Sequence, residues 1–361
     1  MMAIKSPLIV YVQLGPNPSP TLIHFATISQ HDSLHAKPVL ITDTPTSWQD
    51  FPGDIIDCTL YPRNDSIYRL VKRFPERDQI SGSYWVYTLE RLFALEILNY
   101  FYPADTAILH IESDCYALVD NQIFSELLIR CNKVAVPRYS DSQGIASLIF
   151  APTISSLLSM LIEFERIIDN SKIWLGDMNL LGIGLNSGLL QELPTKLADG
   201  WDLMIEGFED IEQKVIFDGL AIGQYLLGQD PYHTGGYAIA GHKNECFMDP
   251  IEKWCWSISP TQAGTKTCLF AEYEDIKYRI ANIHIHSKIL VPPLEQDDQM
   301  WRAIIATANR ALQPVPMLMP DNQIHSGRIS IINKFRFARR NGLIHMLRQI
   351  ITKALFHKKP K

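Results

Sequence analysis

The sequence predicts an α/β protein: a mainly parallel sheet with helices on both faces, followed by a basic helical tail. Three observations lead there. Short, continuously apolar runs such as Leu8–Leu14 and Pro38–Asp43 alternate with stretches of helical pattern, as strands covered on both faces do. Several runs end on polar residues at their carboxyl ends, where open α/β sheets bind ligands. The composition, 47% hydrophobic and 20% charged over 361 residues, is that of a folded chain rather than a disordered, collagen-like or disulfide-stapled one. That length gives core for one large domain or two modest ones, and it excludes a small module whose whole function is one surface patch.

Taken in order, Leu8–Leu14 is a strand rich in β-branched residues, and Gly15-Pro16-Asn17-Pro18 breaks it. Thr21–Ser29 returns to a helix-compatible pattern, and Pro38–Asp43 is a second strand. Gln13, Gly15 and Asp43 stand at strand ends, where they read either as donor-binding residues or as loop punctuation. Tyr84–Phe101 is helical, with Leu89, Leu92, Phe93 and Ile97 on its apolar side, and Pro103 ends it. Thr106–Asp114 is an apolar strand that turns polar, and Lys133–Pro137 and Ala146–Phe150 are further strands. Thr153 caps a helix running to about Asp169. Val215–Leu227 reads as a glycine-containing helix and Tyr278–Leu290 as a strand. No Gly/Ser linker or internal repeat divides the chain, so one mixed domain over 1–290 is expected, with a connecting segment at 291–330 and a tail at 331–361.

Charge is distributed unevenly. The chain carries −6 in total, yet residues 331–361 hold nine Lys/Arg and no acid, so 1–330 carries −15. An acidic body argues against nucleic acid as the ligand, since phosphates need Lys/Arg neutralisation; an anionic small molecule would need a bridging cation. The six cysteines show no CxxC pair, which argues against a zinc knuckle or a thioredoxin-type site. The N-terminus lacks the long apolar core of a signal peptide, so a reducing cytoplasm is expected. Residues 142–162 hold no charge, but Pro152 and interspersed Ser/Thr make this a buried strand followed by a helix rather than a membrane span.

Three segments could carry chemistry. In His110-Ile111-Glu112-Ser113-Asp114 the two acids are two apart on a strand and share a face, where their repulsion favours a hard divalent cation between them. A solvated acidic loop is the plain alternative. In Asn282-Ile283-His284-Ile285-His286-Ser287-Lys288 one strand face is apolar and the other carries two imidazoles and an amine. That face is either wet or lines a site where imidazole completes a metal shell and Lys neutralises phosphate. In the third, Phe217–Pro231, Gly219 and Gly223 inside a helix would cost roughly 1 kcal/mol each and so suggest close packing or close ligand approach. Trp254 and Trp256 could stack on a sugar or simply fill core. Gly182, Gly184 and Gly188 have the wrong spacing for a dinucleotide fingerprint, and there is no P-loop and no nucleophile elbow.

Four blocks together resemble a bacterial family of GT-A-type glycosyltransferases. Tyr84-Trp-Val-Tyr-Thr-Leu-Glu90-Arg91-Leu-Phe93 resembles its W-x-x-T-x-E-R-F-F helix, and His110–Asp114 its H-x-E-x-D block. Phe217-Asp218 through Gly228-Gln-Asp230-Pro231 resembles F-D-x-x-x-x-G-Q-Y-L-x-G-x-D-P, and Asn282–Lys288 the closing L-H-I-H-S-K strand. The blocks span about 200 residues, with Glu112 standing where the GT-A signature usually has its first Asp. The resemblance implies a GT-A-like fold and a nucleotide-sugar donor. It implies a divalent metal, manganese or magnesium, at Asp114 with His284 or His286, of which His286 is the favoured neighbour. Lys288, Arg91 and Glu112 would hold the donor. An inverting reaction would take Asp218 or Asp230 as base; a retaining one would use Asp218 or Gln224 to position the sugar. The acceptor would be a saccharide or a lipid-linked chain. A metal-dependent phosphoester hydrolase, or a non-catalytic sugar-binding relative, would draw on the same residues.

The tail has Leu343, Met346, Leu347, Ile350, Ile351, Ala354 and Leu355 at helical spacing, with Arg348, Lys353 and Lys358 largely off that stripe. Such a helix can lie on an anionic membrane at the inner face of the cell, or pack on the acidic body or at a dimer seam.

Overall fold

The computed structural model describes residues 7–15, 36–62, 64–76, 84–203, 213–227, 254–260 and 267–285, together with isolated helical positions at 22–23, 26–27, 302 and 305. His286, Lys288, Asp230 and the tail lie outside the described residues, as does the side chain of Gln224.

The first strands form where the apolar runs are. β1 (Leu8–Gln13), β2 (Lys37–Thr42) and β3 (Asp54–Asp57) lie parallel, and β4 (Ile108–Ile111) joins β1 on its other side, also parallel. Then the sheet reverses. β8 (Leu148–Ala151) runs antiparallel to β4, and β6 (Ala135–Ser140) and β7 (Gln143–Gly144) continue in the order β3-β2-β1-β4-β8-β6-β7, with β9 (Gln191–Leu193) parallel to β6. The expected α/β architecture with its mainly parallel sheet is therefore present, with one reversed block.

Alternation along each strand divides the core in two. Leu8, Val10 and Val12 of β1 face one hydrophobic cluster; Ile9 and Tyr11 face the other. The first cluster is covered by four helices: α1 (Asp65–Arg73), α2 (Tyr84–Ala94), α4 (Ile154–Asn170) and α5 (Asp177–Asn186). Thr153 caps α4 as read, accepting from Ser156 N–H at 3.0 Å while Ser156 caps it in return. The uncharged 142–162 stretch resolves into β8 and the start of α4, and no described helix is long and apolar enough to cross a membrane.

The second face departs from the expectation of helices alone. α3 (Asn121–Arg130) shares it with a five-stranded sheet of β10 (Trp201–Leu203), β11 (Gln213–Ile216), β14 (Ile276–Ile280), β13 (Thr267–Tyr273) and β12 (Cys255–Pro260). Three element readings are corrected here. Val215–Leu227 is not one helix: β11 ends at Ile216, and α6 (Ala221–Leu227) starts after a turn. Tyr278–Leu290 is not one strand, because β14 stops at Ile280 and β15 (Asn282–His284) leaves to pair antiparallel with β5 (Cys115–Ala117). The Tyr84–Phe101 helix is α-helical to Ala94 and continues as 3-10 over Leu95–Tyr100.

Asp120 ties the two layers together. One carboxylate oxygen caps α3 by accepting from Gln122 and Ile123 N–H, both at 3.1 Å, and the other pairs with the buried Arg279 of β14. Trp254 and Trp256 are core, stacked against Tyr278 and Tyr225 respectively, and not a sugar platform. Gly182 and Gly184 likewise serve packing. A Cβ on Gly182 would lie 2.0 Å from the Ser142 carbonyl oxygen, and one on Gly184 would lie 2.7 Å from Leu190.

Candidate metal centre at the carboxyl edge

β4 is buried end to end and stops at Ile111 because Glu112 and Asp114 enter a turn, closed by Cys115 N–H donating to the Glu112 carbonyl at 3.0 Å. The two acids are thus not alternating on a strand, as the spacing suggested. They leave a turn that hands the chain from β4 to β5. Across from Cys115 in the β5–β15 pair sits His284, and Ile285 N–H donates to the Asp114 carbonyl at 2.6 Å. Two segments about 170 residues apart therefore meet at one point.

There the side chains converge. His284 Nε2 lies 3.5 Å from Asp114 Oδ1 and 3.7 Å from Glu112 Oε2, and the ligand atoms of the three residues all fall within 4.8 Å of one another. His284 is buried rather than on a wet strand face, because β15 is enclosed by β5 and α6. Its Nδ1–H donates to the Gly219 carbonyl at 3.4 Å, which leaves Nε2 turned toward the acids, able to carry a proton between them or to give it up to a cation. Burial alone would lower the imidazole pKa, but Asp114, and behind it Glu112 and Asp218, raise it to about 9. Burial raises the Glu112 carboxyl, and the adjacent Arg91 guanidinium opposes that rise. Two carboxylate oxygens and one imidazole nitrogen, aimed at a common point with the other imidazole nitrogen already committed, are a donor set that fits a divalent cation.

Arg91, on α2, reaches the same point and donates to Glu112 Oε1 at 2.8 Å, so Glu112 has one oxygen on Arg91 and the other beside His284. Sequence reasoning missed Asp177. It opens α5 and is 6% exposed; burial raises its carboxyl, with the charge of Arg91 and the backbone N–H of Met178 opposing. Its only sequence signal was an acid in the first turn of a helix, which has an ordinary dipole explanation.

Asp218 is present, but occupied. Its Oδ1 accepts from Ile222 N–H at 3.0 Å, and its Oδ2 from Gly223 N–H at 2.8 Å and His284 N–H at 3.0 Å. At 1% exposure, with its oxygens bound by backbone, it has the geometry of a positioning residue rather than of a base meeting substrate. Gly223 is explained by close approach: a Cβ there would lie 1.8 Å from the His284 carbonyl oxygen. His110 is neither ligand nor base. Its Nδ1–H donates to the Val10 carbonyl at 2.9 Å, and burial lowers its pKa to about 4.

Gln13, Gly15 and Asp43 lie at the same sheet edge. Continuing the β1–β4 register sets Gln13 level with the 112–114 turn. Asp43 Oδ1 accepts from Gly15 N–H at 2.8 Å, and Gly15 has φ +95°, so this pair also does the work of turn closure.

No family model matches the chain, and no curated protein matches it by sequence. Among solved structures it is similar to mouse xyloside xylosyltransferase 1 in its apo form, at 11% identity and TM-score 0.33, over 53% of this chain and 87% of that one. The glycosyltransferase GlyE of Streptococcus pneumoniae TIGR4 aligns at 20% identity and TM-score 0.31, over 52% of this chain and 45% of that one. The galactosyltransferase LgtC, in complex with donor and acceptor sugar analogs, aligns at 12% identity and TM-score 0.30, over 53% and 76% of the respective chains. At TM-scores and identities this low the likeness assigns neither family nor activity.

Proposed function

We propose that the chain is a glycosyltransferase that moves a sugar from a nucleotide-diphosphate donor to a saccharide or lipid-linked acceptor, with manganese or magnesium held by Asp114, His284 and Glu112. The observation that carries the reading is the convergence of these three side chains at the carboxyl end of β4, with His284 Nε2 turned toward both acids. The four sequence blocks, occurring in one order, support the same reading. When bound, the cation supplies positive charge against the departing diphosphate. The chain's own residues do the rest. Glu112 restrains Arg91 beside the cluster, where a fixed guanidinium suits phosphate oxygens. Asp218 spends its oxygens on backbone and holds His284 in place, so a proton acceptor for the acceptor hydroxyl is sought at Asp230, and a phosphate neutraliser at Lys288. His286 stands two residues beyond the histidine that meets the acids. The basic amphipathic tail of 331–361 would hold the enzyme on an anionic membrane surface.

The test is incubation with a panel of nucleotide sugars, with and without manganese. Manganese-dependent donor hydrolysis or sugar transfer is expected. Donor binding without any turnover would favour a non-catalytic sugar-binding protein. Release of phosphate from simple phosphoesters, with nucleotide sugars untouched, would favour a hydrolase.

A further inference from the structure

We propose that Asn282 is the positioning residue that aims His284 at the two acids, acting through the Asp218–Gly219 turn; the inference rests on the metal reading above. The parallel pairing of β11 with β14 continues as far as Ala281, whose N–H donates to the Ile216 carbonyl at 2.9 Å. Beyond it the chain swings away to pair with β5, and the main chain alone would part from Phe217–Asp218. The side-chain amide of Asn282 takes over. Its Oδ1 accepts from Asp218 N–H at 3.0 Å and its Nδ2 donates to the Asp218 carbonyl at 2.8 Å, so one side chain pairs with a residue's backbone as a strand would.

What this holds is the support of His284. The Asp218 carboxylate grips the His284 main-chain N–H at 3.0 Å, and the next carbonyl, Gly219, receives the ring Nδ1–H. Main chain and ring are thus both anchored to the 218–219 turn, and that turn is anchored by Asn282, two residues before the histidine. The residue type is demanding. Aspartate cannot donate to the Asp218 carbonyl, serine is too short to span both groups, and leucine of similar size would leave both Asp218 backbone groups buried without this partner. Asn282 is itself 0% exposed, so it can touch neither sugar nor phosphate and acts only through its neighbours.

The experiment is manganese titration followed by the paramagnetic resonance of the free ion, on wild type, Asn282→Ala and Leu161→Ala, at a temperature where near-ultraviolet circular dichroism shows all three folded. Leu161 is buried in the other hydrophobic cluster and supplies a destabilised control that leaves this network alone. Asn282→Ala is expected to weaken manganese binding about 10- to 100-fold, as loss of outer support does at metal sites, with Leu161→Ala unchanged. Equal affinities of Asn282→Ala and wild type would overturn the inference, as would equal weakening in both variants. If Asn282→Ala does not fold, Asn282→Asp, which keeps the shape and the acceptor for Asp218 N–H, is read by the same titration. A wild type that binds no manganese would overturn the metal reading itself, a result distinct from either.

Discussion

Gly223→Ala is the most exacting perturbation of the site, because it adds one methyl group and no charge. The new Cβ would stand 1.8 Å from the His284 carbonyl oxygen, 2.7 Å from its carbonyl carbon and 3.0 Å from Asp218 Oδ2. Relief requires α6 and β15 to separate by more than 1 Å, judged against an ordinary contact of about 3 Å or more. The Gly223 and His284 N–H bonds to Asp218, at 2.8 and 3.0 Å, would then stretch past hydrogen-bonding range. Bonds to a charged group are worth about 1.5–3 kcal/mol each, so the pair represents about 3–6 kcal/mol. Alanine's better helix propensity returns about 1 kcal/mol. The expected net loss is therefore about 2–5 kcal/mol. It should be measured by urea unfolding, alongside manganese binding at a temperature where the variant is folded. A variant as stable as wild type that binds manganese equally well would refute the reasoning, since the glycine would then be holding nothing together.

Asp114→Ala should abolish manganese-dependent transfer in a chain that still folds, since its side chain is only partly buried, with some loss of melting temperature because the buried His284 loses its nearest acid; Glu112→Ala should be milder in activity, because one of its oxygens is already given to Arg91. Full transfer activity in Asp114→Ala would sink the site. Asp120→Asn should cost about 3–5 kcal/mol by leaving the buried Arg279 without its counter-charge, measurable as a shifted denaturation midpoint with little change in manganese affinity. His110 makes stability depend on pH. Its folded pKa is about 4 against an ordinary 6.5, so below pH 6.5 the unfolded chain takes up a proton that the folded chain refuses. Stability from this group is complete above pH 6.5 and falls as pH drops toward 4, by about 2 kcal/mol between pH 7 and 5. His110→Gln should flatten the pH dependence of the urea midpoint in that window, and an unchanged slope would count against the assignment.

The sequence was most legible where the signal is local. β1, β2 and β4 are continuous apolar runs, and Thr153 carries its cap three residues from its partner, so neither needs knowledge of the rest of the chain. Val215–Leu227 reads as one helix because an apolar run interrupted by two glycines satisfies a helix and a strand-turn-helix equally well. What decides is the pairing of β11 with β14, more than 60 residues away. The five-stranded sheet went unseen for the same reason. His284 looked as wet as its neighbours in the alternating pattern; only the β5–β15 pairing, invisible to periodicity, buries it and selects it for the acids. Asp218 shows the converse. An acid amid glycines reads as chemistry, yet its oxygens are consumed by backbone donors that no spacing rule displays.

The two-stranded β5–β15 pair has a consequence for the order in which the molecule is made. Cys115 and His284 face each other across a loop of chain comprising nearly half the protein. During synthesis at about 5–20 residues per second, the acids of the 112–114 turn leave the ribosome many seconds before their histidine exists. Until then Glu112 has Arg91, already made, as a counter-charge, and the emerging domain can close its first hydrophobic cluster without His284. Closing so long a loop is among the last events of folding, because its entropy must be met by contacts formed earlier. Metal capture would therefore mark completed folding, and a chain interrupted before residue 284 could build much of the sheet and bind manganese no better than a surface pair of acids.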